Sequence, residues 1–147
     1  MLAATGCRQI DVYEKTANIP GHAWARNHKA VVELDVNDST YHDIVFIVRH
    51  TEKFKYNNII ATITIQDTAK NTKPLAFIQA NIPLVNKSGR WAGENMDDLY
   101  YHRVKIDPPL FFKPGRYRFI LQHEMKDNPL EHVLNAGVAI QKTSASQ

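Results

Sequence analysis

An all-β fold, an antiparallel β-sandwich of jelly-roll type with about seven or eight strands, is what this sequence predicts, on three observations. Runs of residues alternate apolar and polar side chains with a period of two, the mark of half-buried strands. Clusters of Pro, Gly, Asn and Asp punctuate those runs at regular spacing. No stretch sustains the 3.6-residue period of an amphipathic helix; at most one turn of helix is expected around Leu130–Val133. The chain has 147 residues, 44% hydrophobic and 22% charged, which suits a single globular domain.

The clearest run follows Pro114-Gly115, where Tyr117, Phe119, Leu121, His123 and Met125 fall on one side of an extended chain. Arg116, Arg118, Gln122 and Glu124 fall on the other, interrupted only by Ile120. This stretch reads as a central core strand. In chain order, Trp24 enters the domain and is too large to leave bare, so it is expected to staple an edge. Ala30, Val32, Leu34 and Val36 share one face of the next run. Asp43–Arg49 is continuously apolar between its ends, as for a strand covered on both faces. Ile59, Ala61, Ile63 and Ile65 point inward on another, and Ala76, Ile78, Ala80, Ile82 and Leu84 align on the one after it. Pro83 places the end of that strand at a sheet edge. A long loop, 85–98, precedes Leu99–Ile106, which Asp107-Pro108-Pro109 is expected to close. The last run, 131–142, aligns Leu134, Ala136, Val138 and Ile140. The resulting division is residues 1–7 as the remnant of a signal, 8–23 as a tether, 24–142 as one sandwich domain and 143–147 as a frayed tail.

Composition excludes several classes of function. A net charge of +3 with no dense Lys/Arg run is a weak nucleic-acid footprint, so no nucleic acid is expected as a partner. One cysteine excludes an internal disulfide and a Cys-rich zinc site. Seven histidines form no HxH or HExxH spacing. His42 and His50 lie eight residues apart on one strand, roughly 26 Å, too far to share an ion, so no metal ligands are assigned. His123, among apolar neighbours, reads as a buried, hydrogen-bonded histidine. There is no G-x-S-x-G elbow, so no catalytic residue and no cofactor is assigned. Glu94-Asn95-x-Asp97-Asp98 is oxygen-rich enough to suggest structural calcium, but a solvated acidic loop is the default. No apolar run approaches the roughly 18 residues needed to cross a bilayer.

Trp91, Tyr100 and Tyr101 beside Asp97 and Asp98 make the candidate ligand or partner patch. Aromatic faces flanked by carboxylates suit stacking on a sugar ring, which makes a carbohydrate-binding module the alternative function and a glycan the alternative ligand. The competing reading folds Trp91, between Gly89 and Gly93, back onto the core as a plug.

At the N-terminus, small residues run into a cysteine, Ala4-Thr5-Gly6-Cys7, as at the end of a bacterial lipoprotein signal, where the thiol of the cysteine is acylated. Further motifs follow in a fixed order: Trp24, Arg49, Tyr56-Asn57-Asn58, Gly89-Arg90-Trp91-Ala92-Gly93, Asp97-Asp98, Gly115-x-Tyr117-x-Phe119, Gln122-His123-x-Met125 and Ala136-Gly137-Val138. In that order and spacing the chain resembles the GldH family of gliding-motility lipoproteins over nearly its whole length. Lys126, where the family usually has arginine, and His50, where asparagine is common, are departures. The resemblance implies a non-enzymatic cell-envelope protein, lipidated at Cys7 and held at the outer membrane facing the periplasm. It also implies other envelope proteins of the gliding and secretion apparatus as partners.

Overall fold

The period-two runs fold as strands where the sequence places them. In the computed structural model, which describes residues 12–70 and 73–143, β1 is Val12–Asn18, β2 Ala23–Trp24, β3 Ala30–Val36 and β4 Thr40–Thr51. They are followed by β5 Asn58–Asp67, β6 Ala76–Pro83, β7 Glu94–Met96, β8 Leu99–Phe112, β9 Gly115–His123, β10 Leu130–Glu131 and β11 Val133–Lys142. One sheet has the order β1-β11-β4-β8-β7 and the other β3-β9-β5-β6, with a small β10-β2 pair at one end. All pairings are antiparallel. Eight of the strands have seven residues or more, and their order, first-eighth-third-sixth facing second-seventh-fourth-fifth, is that of a jelly roll.

Inward residues of both sheets share one core, with Trp24, Phe46, Phe112 and Phe119 its largest fully buried side chains. Tyr117, Phe119, Leu121, His123 and Met125 are all buried, and β9 lies between β3 and β5, so it is the central strand its alternation predicts. β6 is an edge strand, in keeping with Pro83. β4 is buried on both sides, and its outward residues Val45 and Ile47 pack with Ala139 beneath Tyr101.

Four expectations are corrected. The stretch 8–23 is not a tether over 12–23: β1 pairs with β11 along its whole length, from Val12↔Gln141 to Asn18↔Asn135, and a 3-10 turn at Pro20–His22 leads directly into β2. Its polar composition misleads because β1 is an edge strand whose exposed face needs no apolar residues. β8 does not stop at Ile106 but continues through Pro108 and Pro109 to Phe112. The prolines fall at an irregularity between the pairs Ile44↔Ile106 and His42↔Leu110, where a missing N–H removes no ladder bond. In β11 a register shift between Val133 and Asn135 puts Val133, not Leu134, into the core. Leu130-Glu131, finally, is a strand rather than a turn of helix.

Candidate functional site

Parity on β4 and β8 decides what can meet at this end of the sandwich. Even-numbered residues of both strands point inward and odd-numbered ones outward, since successive side chains on a strand alternate. His50 pairs with Tyr100 and Val48 with His102, which makes His50 and His102 diagonal neighbours on the inner face. Their Nε2 atoms lie 2.9 Å apart, with His50 at 0% and His102 at 2% exposure. Nδ1 of His50 is 2.7 Å from the Thr51 carbonyl, and a carbonyl only accepts, so this nitrogen carries the proton. Nε2 of His50 is then an acceptor, and His102 donates Nε2–H to it. Phe54 stacks on the His50 ring, Trp91 meets it edge-on at 4.5 Å, and Tyr100 stacks at 5.7 Å. Burial pushes His50 down despite its bond to the Thr51 carbonyl. Burial together with the neighbouring His50 pushes His102 down to about 4. The pair is therefore neutral at pH 7, a polar bolt inside an aromatic box.

Trp91 belongs to that box. Val85 bridges to Trp91, the Ala92 N–H donates to the Leu84 carbonyl, and the Asn86 side chain accepts from the Ser88 and Arg90 N–H groups, so the loop folds back on itself. Gly93 is required where the loop crosses β8: an added Cβ would come within 2.4 Å of the Tyr101 carbonyl oxygen. The plug reading of Trp91 thus describes its position.

The structure divides the sequence-derived patch. Trp91 and Tyr100 are half-buried on the inner side, with planes inclined at 43°, while Tyr101 lies on the opposite face of β8. The three rings do not form one platform. Asp97 and Asp98 form the two-residue turn between the paired residues Met96 and Leu99, with Asp97 at φ 60°. The Asn95 side-chain amide donates to the Asp97 carbonyl, and the Glu52 N–H to that of Asp98. Among the described residues, no group of three or more His, Cys, Asp or Glu side chains is placed to hold a metal ion. Cys7 lies outside the described residues.

Tyr101 instead takes part in a network on the outer face of the five-stranded sheet. Its hydroxyl donates to Glu14 at 2.6 Å, Arg103 pairs with the same carboxylate, and the Arg49 guanidinium lies 5.4 Å over the Tyr101 ring. Burial alone would raise the Glu14 carboxyl, but the bonds from Tyr101 and Arg103 and the charge on Arg103 hold it below its usual range. The reach from β1 to β8 crosses two strands and is open because Gly137 and Ala139 of β11 leave it low. Gly137 cannot be larger: an added Cβ would sit 2.2 Å from the Lys15 carbonyl oxygen.

His123 satisfies both ring nitrogens, donating Nε2–H to the Trp24 carbonyl at 2.7 Å and accepting the Met125 N–H. Trp24 itself is fully buried, and its indole N–H donates to the His28 carbonyl. Beside this end of the sandwich lies a cleft of about 160 Å³ between Lys53–Tyr56 and Asp127–His132. The Lys55–Asp127 ion pair, 3.2 Å, lies at its rim. Sequence reasoning missed the His50–His102 pair and the Glu14–Tyr101–Arg103 network. Each joins residues on different strands, and only the shared even parity of His50 and His102 within apolar runs hints at a meeting.

Comparison with known structures shows the fold. The mosquito-larvicidal Cry4Aa toxin from Bacillus thuringiensis is 10% identical with a TM-score of 0.50, covering 90% of this chain and 21% of its own. The chain thus spans about a fifth of that toxin's length. A family 35 carbohydrate binding module from Clostridium thermocellum is 10% identical with a TM-score of 0.39, covering 90% of this chain and 93% of its own. The cycloalternan-forming enzyme from Listeria monocytogenes is 18% identical with a TM-score of 0.42, covering 90% of this chain and 11% of its own. No curated protein matches the sequence. The family description "GldH lipoprotein" matches residues 11–140, which takes in every strand except the last two residues of β11, and the chain belongs to that family.

Proposed function

We propose that this chain is a non-enzymatic lipoprotein, acylated at Cys7 and held at the outer membrane facing the periplasm. In that position it serves gliding motility and the associated secretion apparatus through contacts with other envelope proteins. The observation that carries this reading is family membership across residues 11–140, immediately downstream of the small residues Ala4-Thr5-Gly6 and of Cys7. Each acyl methylene entering a bilayer contributes about 0.8 kcal/mol, so two or more chains anchor a small domain firmly. Because β1 begins at Val12, only residues 8–11 separate it from the anchor. Four extended residues span at most about 14 Å, so the sandwich rests close against the membrane rather than on a long stalk. A non-enzymatic role is supported by the sealing of the best-placed titratable pair, His50 and His102, under aromatic rings. The placement of Tyr101 on the face opposite Trp91 and Tyr100 weighs against the glycan reading.

The test is metabolic labelling of the full gene product with radioactive palmitate. The wild type takes up label and Cys7→Ser does not; label that persists in Cys7→Ser sinks the anchor. Deleting the gene in a gliding host should abolish colony spreading, and an unchanged colony margin would count against the motility role.

A further inference from the structure

Strand β6 is an edge of the four-stranded sheet, and the usual protecting devices are confined to its C-terminal end. Its residues, Ala76-Phe77-Ile78-Gln79-Ala80-Asn81-Ile82-Pro83, include no charge, and Phe77 is 67% exposed. The hydrogen-bond phase follows from the Leu84 N–H donating to Asn57. Even-numbered residues of β6 exchange bonds with β5, so Phe77, Gln79 and Asn81 turn their N–H and C=O groups away from the sheet. Pro83, of the same parity, has no N–H to turn outward. Beyond it the chain covers its own edge, where Ala92 returns to bond Leu84. What remains open is a window of three residues, Phe77, Gln79 and Asn81, each with one donor and one acceptor. The window borders a groove of about 260 Å³ whose other wall is Val104–Asp107 of β8.

We propose that this window is a self-association surface on which a second copy of the chain pairs its own β6 antiparallel about a two-fold axis at Gln79. In that register Gln79 faces Gln79 and Phe77 faces Asn81, and all three residues exchange both bonds, six in total. Centring on residue 80 sets Phe77 opposite Pro83, which has no N–H for the Phe77 carbonyl; centring on 78 sets Asn81 opposite Leu75, whose N–H is already bonded to Ile65. The register centred on Gln79 alone uses every open group. The absence of charge favours a second copy over a charged partner segment, because an uncharged antiparallel edge is complementary to itself. Pairing joins two four-stranded sheets into one of eight. This inference is independent of lipidation and of the motility role.

Sedimentation of the 147-residue chain in the Cys7→Ser background tests it. A monomer–dimer equilibrium is expected between about 1 and 300 μM, the range suited to a small edge contact. Gln79→Pro removes an outward N–H without touching the bonds to β5 and should weaken dimerisation at least about tenfold, with the thermal midpoint of the monomer kept. Gln79→Lys, which sets like charges face to face, is the second variant and should act in the same direction. Gln79→Cys should cross-link to itself with a short bis-maleimide, whereas Asp38→Cys, in the turn between β3 and β4, should not. A chain monomeric across that range overturns the proposal and leaves the edge to another protein's strand. Dimers that persist in both Gln79→Pro and Gln79→Lys overturn it as well, by placing the interface elsewhere.

Discussion

On the five-stranded sheet the solvent side is roofed: Val45, Ile47 and Ala139 are buried beneath Tyr101, while Glu14 and Arg103 close over the low ground of Gly137. On the four-stranded sheet Val31, Ile120, Thr64 and Phe77 fall in one row across β3, β9, β5 and β6, with Val31 42% and Phe77 67% exposed. The ion pairs of that sheet, Arg116–Asp35 and Arg118–Glu33, lie to one side of the row. The same alternation makes both surfaces. What separates them is strand length and the presence of small residues: β4, β8 and β11 are long enough, and β11 low enough, for long polar side chains from outer strands to meet above it. One face is roofed by the chain's own side chains, and the other leaves Val31 and Phe77 exposed.

Gly137→Val is the severest way to break the roofed sheet. Its first side-chain atom would meet the Lys15 carbonyl at 2.2 Å and the Thr16 Cα at 2.6 Å, both backbone. A loss of about 4 kcal/mol or more is expected, read as a collapse of the urea midpoint or failure to recover folded protein. Ile47→Ala, beneath the roof, should cost about 2–4 kcal/mol by urea denaturation. If Ile47 proves as tolerant as a surface residue, the roof is not a packed layer.

Acid is a milder probe, directed at the end of the sandwich. Burial holds His50 and His123 below their usual value and His102 at about 4, so between pH 6.5 and 4 the unfolded chain binds more protons than the folded one. Their contribution to stability is therefore complete above pH 6.5 and is lost progressively as pH falls toward 4. The thermal midpoint should fall across that window, and His102→Gln should flatten the slope. An identical slope in the variant would remove the pair from the account. The smallest effect is expected on the open sheet, where Val31→Ala should change stability by less than about 0.5 kcal/mol in the same urea titration.

Much of the fold was legible because burial on a strand is written every second residue. Tyr117 to Met125, Ala30 to Val36 and Ile59 to Ile65 declare their inner faces without reference to any neighbour. The patch of Trp91, Tyr100 and Tyr101 overlooked the same rule: adjacent strand residues point to opposite faces, so Tyr100 and Tyr101 do not share one aromatic row. β1 was not legible, because an edge strand with one wet face has no apolar run to announce it. Nor was Leu134, because a bulge is set by the partner strand.

By itself the sequence determined the all-β class, the inward residues of each long strand, the edge position signalled by Pro83 and the family motifs in their order. Only the tertiary structure decided which strands are neighbours. With that came the contact of His50 with His102, the meeting of Glu14 with Tyr101 and Arg103 across β11 and β4, and the open edge at Phe77–Asn81. The physical reason is that alternation is a local property of one strand, whereas register and sheet order follow from how all the strands share a single core.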